Sequence, residues 1–256
     1  MPNAIAHRAP TFPLARFIEE VRSLAPVDGQ VRHPWLPDGR PSLVFRVLDR
    51  GGRGDVSLAG PRTVARIKDL RGVDRAVIVR LKPGWVAPFF GVAAHEVTDR
   101  IVSLETLWGH EGADLYGRLL ELEEPTPLLA GLAGVLLQRA RRSFEPSSAH
   151  LARRAARLLD DGETRVDRVA SRLGVTDRHL RRAFAEHVGV GPKDYARAVR
   201  LQRALRLTQA SNDWSRIAFD AGFFDQAHFT TDFRRLMGVT PGAFAKRARE
   251  ADLRCG

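Results

Sequence analysis

Two clusters of polar residues stand at matching places in two similar stretches of the chain: Arg178, His179, Arg181 and Arg182 in the first, Gln226, Ala227, His228, Thr230 and Thr231 in the second. Their chemistry is recognition rather than bond cleavage. A guanidinium donates two parallel hydrogen bonds to a phosphate or to a guanine edge, and an amide pairs with a base. The first cluster therefore supplies more electrostatic affinity, and the second fewer contacts, one amide among them. Catalytic alternatives are poorly served. A single cysteine, Cys255, excludes an intrachain disulfide and argues against a thiol nucleophile or a cysteine metal cluster. No nucleophile elbow, phosphate loop or dinucleotide fingerprint occurs. His33, His95 and His110 with Glu96 and Asp99 lack the paired spacing of metal ligands, so neither metal nor cofactor is expected.

Each cluster needs a helix that points it outward, and the sequence provides one twice. The stretch from Val169 to Phe184 repeats from Ile217 to Phe233: Gly174 matches Gly222, and after one inserted residue Leu180 matches Phe229, Phe184 Phe233, Gly189 Gly238, Pro192 Pro241 and Tyr195 Phe244. Each copy reads as helix, glycine-containing turn, helix. Thr164 is the expected cap of the first helix, with Asp167 three residues on, and Thr176 caps the second. Asn212 and Asp225 take the equivalent places in the other copy. With Leu180, Ala183 and Phe184 inward, the arginines face out from a recognition helix near 177–187, and Gln226 to Thr231 from one near 226–236. Between the copies, 193–210 reads as one amphipathic helix of about 25 Å, enough to set two units on one DNA face.

Charge agrees with this placement. Of the 256 residues, 1–137 carry 17 basic against 16 acidic side chains, while 138–256 carry 24 against 14, so nearly all of the net +11 lies in the C-terminal part. The N-terminal half alternates as strands do over 42–48 and 76–81, with glycine-rich loops at 51–54 and 60–61, and turns helical from about Ala93. Thr126 followed by Pro127 marks a helix to about Arg142. A proline-containing polar linker over 143–148 coincides with the charge boundary. The expected fold class is α+β: a β-rich domain over 1–143, then an all-α domain of two helix-turn-helix units joined by a helix over 144–256. No signal h-region or membrane-spanning run is found, which suits a cytoplasmic protein.

The residues that carry the repeat, with Arg200, Leu201 and Ala204 between the copies and Thr240 after them, resemble the AraC/XylS family of bacterial regulators. The N-terminal half is similar to a poorly characterised sensor domain of actinobacterial regulators, through Leu36 to Gly39, Gly60-Pro61, Arg80 to Gly84, Ala94 to Glu96, Thr98 to Arg100 and Leu107 to Gly109. The resemblance implies a sequence-specific regulator of transcription that binds double-stranded DNA. Relatives that repair DNA methylation rely on reactive cysteines absent here. An N-terminal domain of this kind implies an unknown small-molecule effector or a second subunit, and Trp35, Arg80, Trp85, His95 and Trp108 are the candidate ligand contacts. The sequence leaves open contact with RNA polymerase, a homodimer, and two rival classes: a non-specific architectural DNA binder and an enzyme domain tethered to DNA.

Overall fold

The structure, a computed structural model, describes residues 5–8, 14–24, 32–49, 53–122, 124–208, 211 and 213–246. Its N-terminal half is built on an antiparallel sheet of six strands. In chain order the strands are β1 (Ile5–Arg8), β2 (Ile18–Leu24), β4 (Ser42–Leu48), β5 (Arg53–Ala59), β7 (Val73–Leu81) and β8 (Ile101–Ser103), arranged β1-β2-β7-β4-β5-β8. A separate ribbon pairs β3 (Arg32–Trp35) with β6 (Arg66–Asp69). Alternation decides which face is buried: Leu43 lies opposite Val79 and Phe45 opposite Val77 across the central pair, and all four are buried. Against that face pack α1 (Val86–Phe90), α2 (Leu104–Trp108), α3 (His110–Leu120) and α4 (Pro125–Arg142), closing one core around Phe45, Phe89, Phe90, Leu104, Leu115 and Leu132.

The C-terminal half is helical throughout: α5 (Ser147–Asp160), α6 (Val166–Arg172), α7 (Asp177–His187), α8 (Pro192–Leu207), α9 (Trp214–Asp220), α10 (Gln226–Met237) and helical backbone over 241–246. It holds two separate cores. One gathers α5, α6, α7 and the first half of α8 around Val169, Leu180, Phe184 and Tyr195. The other gathers the second half of α8 with α9 and α10 around Ile217, Phe223, Phe229 and Phe233. Helix α8 thus belongs to both, a consequence of apolar residues on two faces, Tyr195 and Val199 for one core and Leu201 and Ala204 for the other.

Several expectations are corrected. Thr164 does not cap α6: the helix begins at Val166, its N-cap is Arg165, and Asp167 pairs with Arg165. Asn212 lies outside the described residues, and Asp213 caps α9 by accepting from Ser215 and Arg216 N–H. Helix α4 starts at Pro125, two residues before the proline singled out. Residues 53 and 54 are strand, paired with Leu48 and Val47, and the missing Cβ of Gly54 leaves room beside Arg46 O for the Tyr116 hydroxyl. After residue 93 comes mixed structure, with β8 preceding the longer helices. The linker is free of helix only over 143–146, α5 beginning at Ser147, and it does not hold the two halves apart. Instead Arg40 reaches Asp160 at 2.9 Å and stacks over the Tyr195 ring, Thr98 Oγ1 donates to Gly189 O at 2.7 Å, Gln202 donates to Pro37 O, and Ala65 N–H donates to Leu236 O. Gly189 is required there: at φ +90° any Cβ would lie 2.8 Å from Ala94 O.

Candidate nucleic-acid interface

Each unit turns on a glycine in the left-handed region, Gly174 at φ +67° and Gly222 at φ +87°, which lets the chain reverse between two short helices. The second helix of each unit is capped by a side chain. Thr176 Oγ1 accepts from His179 N–H at 3.2 Å, and Asp225 Oδ1 accepts from His228 N–H at 2.7 Å. Close packing of α6 and α9 against these helices depends on small, buried Ala170 and Ala218.

On α7, Leu180, Ala183 and Phe184 are buried, so the helix phase leaves Arg178, His179, Arg181 and Arg182 exposed. Arg181 is held by Asp177 at 3.2 Å, an i,i+4 pair. Arg178 and Arg182, also four residues apart and hence on one face, have no acidic partner among the described residues. They are two exposed cations on the outward face of the helix. At the far end of α7 the imidazole of His187 is buried, with Nε2 2.9 Å from Ser148 Oγ on α5, and burial pushes its pKa below the usual value.

On α10, Gln226, Ala227, His228 and Thr231 are exposed and Thr230 is half-buried. Their polar atoms are partly engaged within the protein. Ser215 Oγ donates to Gln226 Oε1 at 2.8 Å, Thr231 Oγ1 donates to Ala227 O at 2.9 Å, and His228 Nε2 lies 3.4 Å from Asp232. The His228 ring packs edge-on against Phe223. Sequence reasoning missed Asp232, a carboxylate 5 % exposed that lies 3.4 Å from both Arg197 and Arg200 and so fixes α10 to α8. Burial lowers the Arg200 pKa, with Asp232 opposing the shift. The signal was present: Asp232 falls on the inward phase between Phe229 and Phe233, where a carboxylate needs cationic partners.

The five candidate ligand residues occupy different settings. Trp85 is buried in the core, stacked on Phe89 at 5.5 Å, and Trp108 stacks on Phe90 under the Arg139 guanidinium. Trp35 lies beneath Arg62 at 3.7 Å. Arg80 pairs with Asp38 at 2.6 Å, and His95 is exposed. Among the described residues no group of three or more histidine, cysteine or acidic side chains is placed to hold a metal, and no helix is long and apolar enough to cross a membrane.

Residues 169–247 match the family described as a helix-turn-helix domain, and residues 6–103 match a domain of unknown function, DUF6597. Over 98 residues the chain is 40% identical to the HTH-type transcriptional regulator GlxA of Rhizobium meliloti, covering 36% of this chain and 30% of that one. It is 37% identical over 86 residues to the HTH-type transcriptional activator RhaS of Escherichia fergusonii, 33% of this chain and 31% of that one. A probable bifunctional transcriptional activator/DNA repair enzyme AlkA of Mycobacterium tuberculosis is 36% identical over 121 residues, 43% of this chain and 24% of that one. The chain thus spans about a third or less of the length of these relatives. Among solved structures, ToxT of Vibrio cholerae with bound unsaturated fatty acid superposes with a TM-score of 0.45 at 12% identity, over 94% of this chain and 95% of that one.

Proposed function

We propose that this chain, a DNA-binding transcription regulator whose C-terminal helix-turn-helix domain is of the AraC type, reads two successive major grooves of double-stranded DNA as a sequence-specific binder. One observation carries the reading: two complete units, each with its own core and its own capped outward-facing helix, share the single helix α8. Its 16 residues span about 24 Å, shorter than the roughly 34 Å between adjacent turns of one DNA face, so the reading helices would have to lie outward of its ends. Arg178 and Arg182 reach bases or phosphates with His179 and Arg181 beside them, while Gln226, Ala227, Thr230 and Thr231 make fewer contacts and His228 holds the frame. A non-specific architectural binder has no use for two capped helices with different outer faces.

In this account residues 144–256 form the DNA-binding domain, and residues 1–143 modulate it without touching bases. The contacts of Arg40, Thr98 and Ala65 with the helical half supply the route. Trp35, Arg80, Trp85, His95 and Trp108 remain the proposed effector contacts; Trp85 becomes available only if the core around Phe89 rearranges, whereas Trp108 is half-buried beneath Arg139. The reading gives the chain no catalytic step. Selection of binding sites from a random duplex library with the full chain tests the proposal. An enriched sequence with two separated conserved blocks about one helical turn apart supports it. Recovery of no preferred sequence overturns it.

A further inference from the structure

The outer face of α10 differs chemically from that of α7, and the difference bears on which base it reads. The inference rests on the two-groove reading above. Phe224, immediately before the Asp225 cap, is 89 % exposed. A hydrophobic residue at this position commonly packs onto the fourth residue of the helix. Here that residue is Phe229, already buried against Trp214, Phe223 and Phe233, so Phe224 is left outside the core. Its backbone is nevertheless held, its N–H donating to His228 Nδ1 at 3.5 Å. His228 in turn is fixed through Nε2 by buried Asp232.

Two neighbouring polar side chains, Thr231 and Gln226, are engaged within the protein. Thr231 donates its hydroxyl proton to Ala227 O, leaving its methyl group as the apolar part of an exposed side chain. Gln226 Oε1 is occupied by Ser215, which leaves its amide N–H groups to donate. What the start of α10 offers to a ligand is therefore a phenyl ring, the methyls of Ala227 and Thr231, and one amide donor. In the major groove the apolar base substituent is the thymine C5 methyl, and purine N7 accepts from an amide. A phosphate offers nothing to a phenyl ring. We infer that α10 reads an A·T-containing half-site through thymine methyl groups, with Phe224 as a specificity-determining contact beside Ala227 and Thr231, while the arginines of α7 read guanine.

The test uses the full chain and the duplex recovered from random-library selection, with thymines replaced by deoxyuridine in one half-site at a time, which removes the methyl and nothing else. Loss of one buried methyl corresponds to about fourfold in affinity, and such a loss is expected at one or more thymines of the half-site distal to the guanine-containing block. Phe224→Ala should weaken binding to the thymine duplex and abolish the penalty at one position. Thr231→Ser, which retains the hydroxyl bond and loses the methyl, should reduce the penalty at a neighbouring position with an unchanged melting curve. Deoxyuridine tolerated throughout that half-site overturns the inference and leaves the two-groove reading standing. An undiminished penalty in Phe224→Ala also overturns it. A selection that enriches no sequence overturns both readings.

Discussion

Replacing Arg40 with methionine probes the coupling of the two halves most sharply. The Arg40 side chain is 11 % exposed and bridges Asp160 at 2.9 Å, Glu19, and the Asp38 carbonyl at 3.2 Å, with its guanidinium over the Tyr195 ring at 5.6 Å. Burial works against its charge, yet Tyr195, Asp160, Glu19 and Asp38 together hold it firmly protonated. For Asp160 the same burial raises the carboxyl pKa, with Arg40 and the Tyr195 hydroxyl pulling it back down. Methionine keeps the packing of the stem and removes the cation. Cutting one member of a buried pair costs about 3–5 kcal/mol. Asp160 is 28 % exposed and keeps the Tyr195 O–H at 2.9 Å, so the expected loss is smaller, about 2 kcal/mol. That corresponds to a melting temperature lower by about 4–8 °C for a chain of this size. Because the cluster joins the halves, the unfolding transition should also separate into two steps. Calorimetry of Arg40→Met, Asp160→Asn and the double variant gives the coupling energy. A coupling indistinguishable from zero, or a single transition at the wild-type temperature, refutes the reasoning.

Three further outcomes concern the helical half. Leu180→Asp and Phe233→Asp each place an unpaired carboxylate at a fully buried site in a different core, so each should cost several kcal/mol; circular dichroism melts check this, and a native melt for either contradicts the helix phase. Thr176→Ala removes the cap of α7 and should cost about 1 kcal/mol in chemical denaturation. Burial of His187 favours its neutral form, so the unfolded chain binds more protons in mild acid. Stability is then complete above about pH 6.5 and falls as pH drops below it; His187→Gln should flatten that dependence in melts across pH 4.5–7.5.

The helical half was legible because its signals are local and repeated. Gly174 and Gly222, the Thr176 and Asp225 caps, and the inward phases of Leu180 and Phe233 each follow from spacing along one segment. The central strands were legible for the same reason, alternation over Leu43, Phe45 and Val47. What escaped depends on partners distant in sequence. Gly54 looked like loop until Tyr116 was seen against it, and Thr164 was a reasonable cap until Glu163 Oε1 accepted its backbone N–H and that of Arg165. Arg40, Asp160 and Tyr195 carry no pattern that joins them across 155 residues, whereas Asp232 does carry a local signal, its inward phase between Phe229 and Phe233.

Sequence-specific reading by α7 is the centre of the account, and equilibrium binding of Arg178→Ala and Arg182→Ala to the selected duplex and to its scrambled counterpart, at one fixed salt concentration, tests it most directly. Each arginine at a base edge should contribute about 1–3 kcal/mol of discrimination, so the ratio of specific to non-specific affinity should fall by roughly five- to 150-fold with an unchanged fold by circular dichroism. Wild-type affinity on both duplexes for both variants would contradict the assignment of α7 as a reading helix.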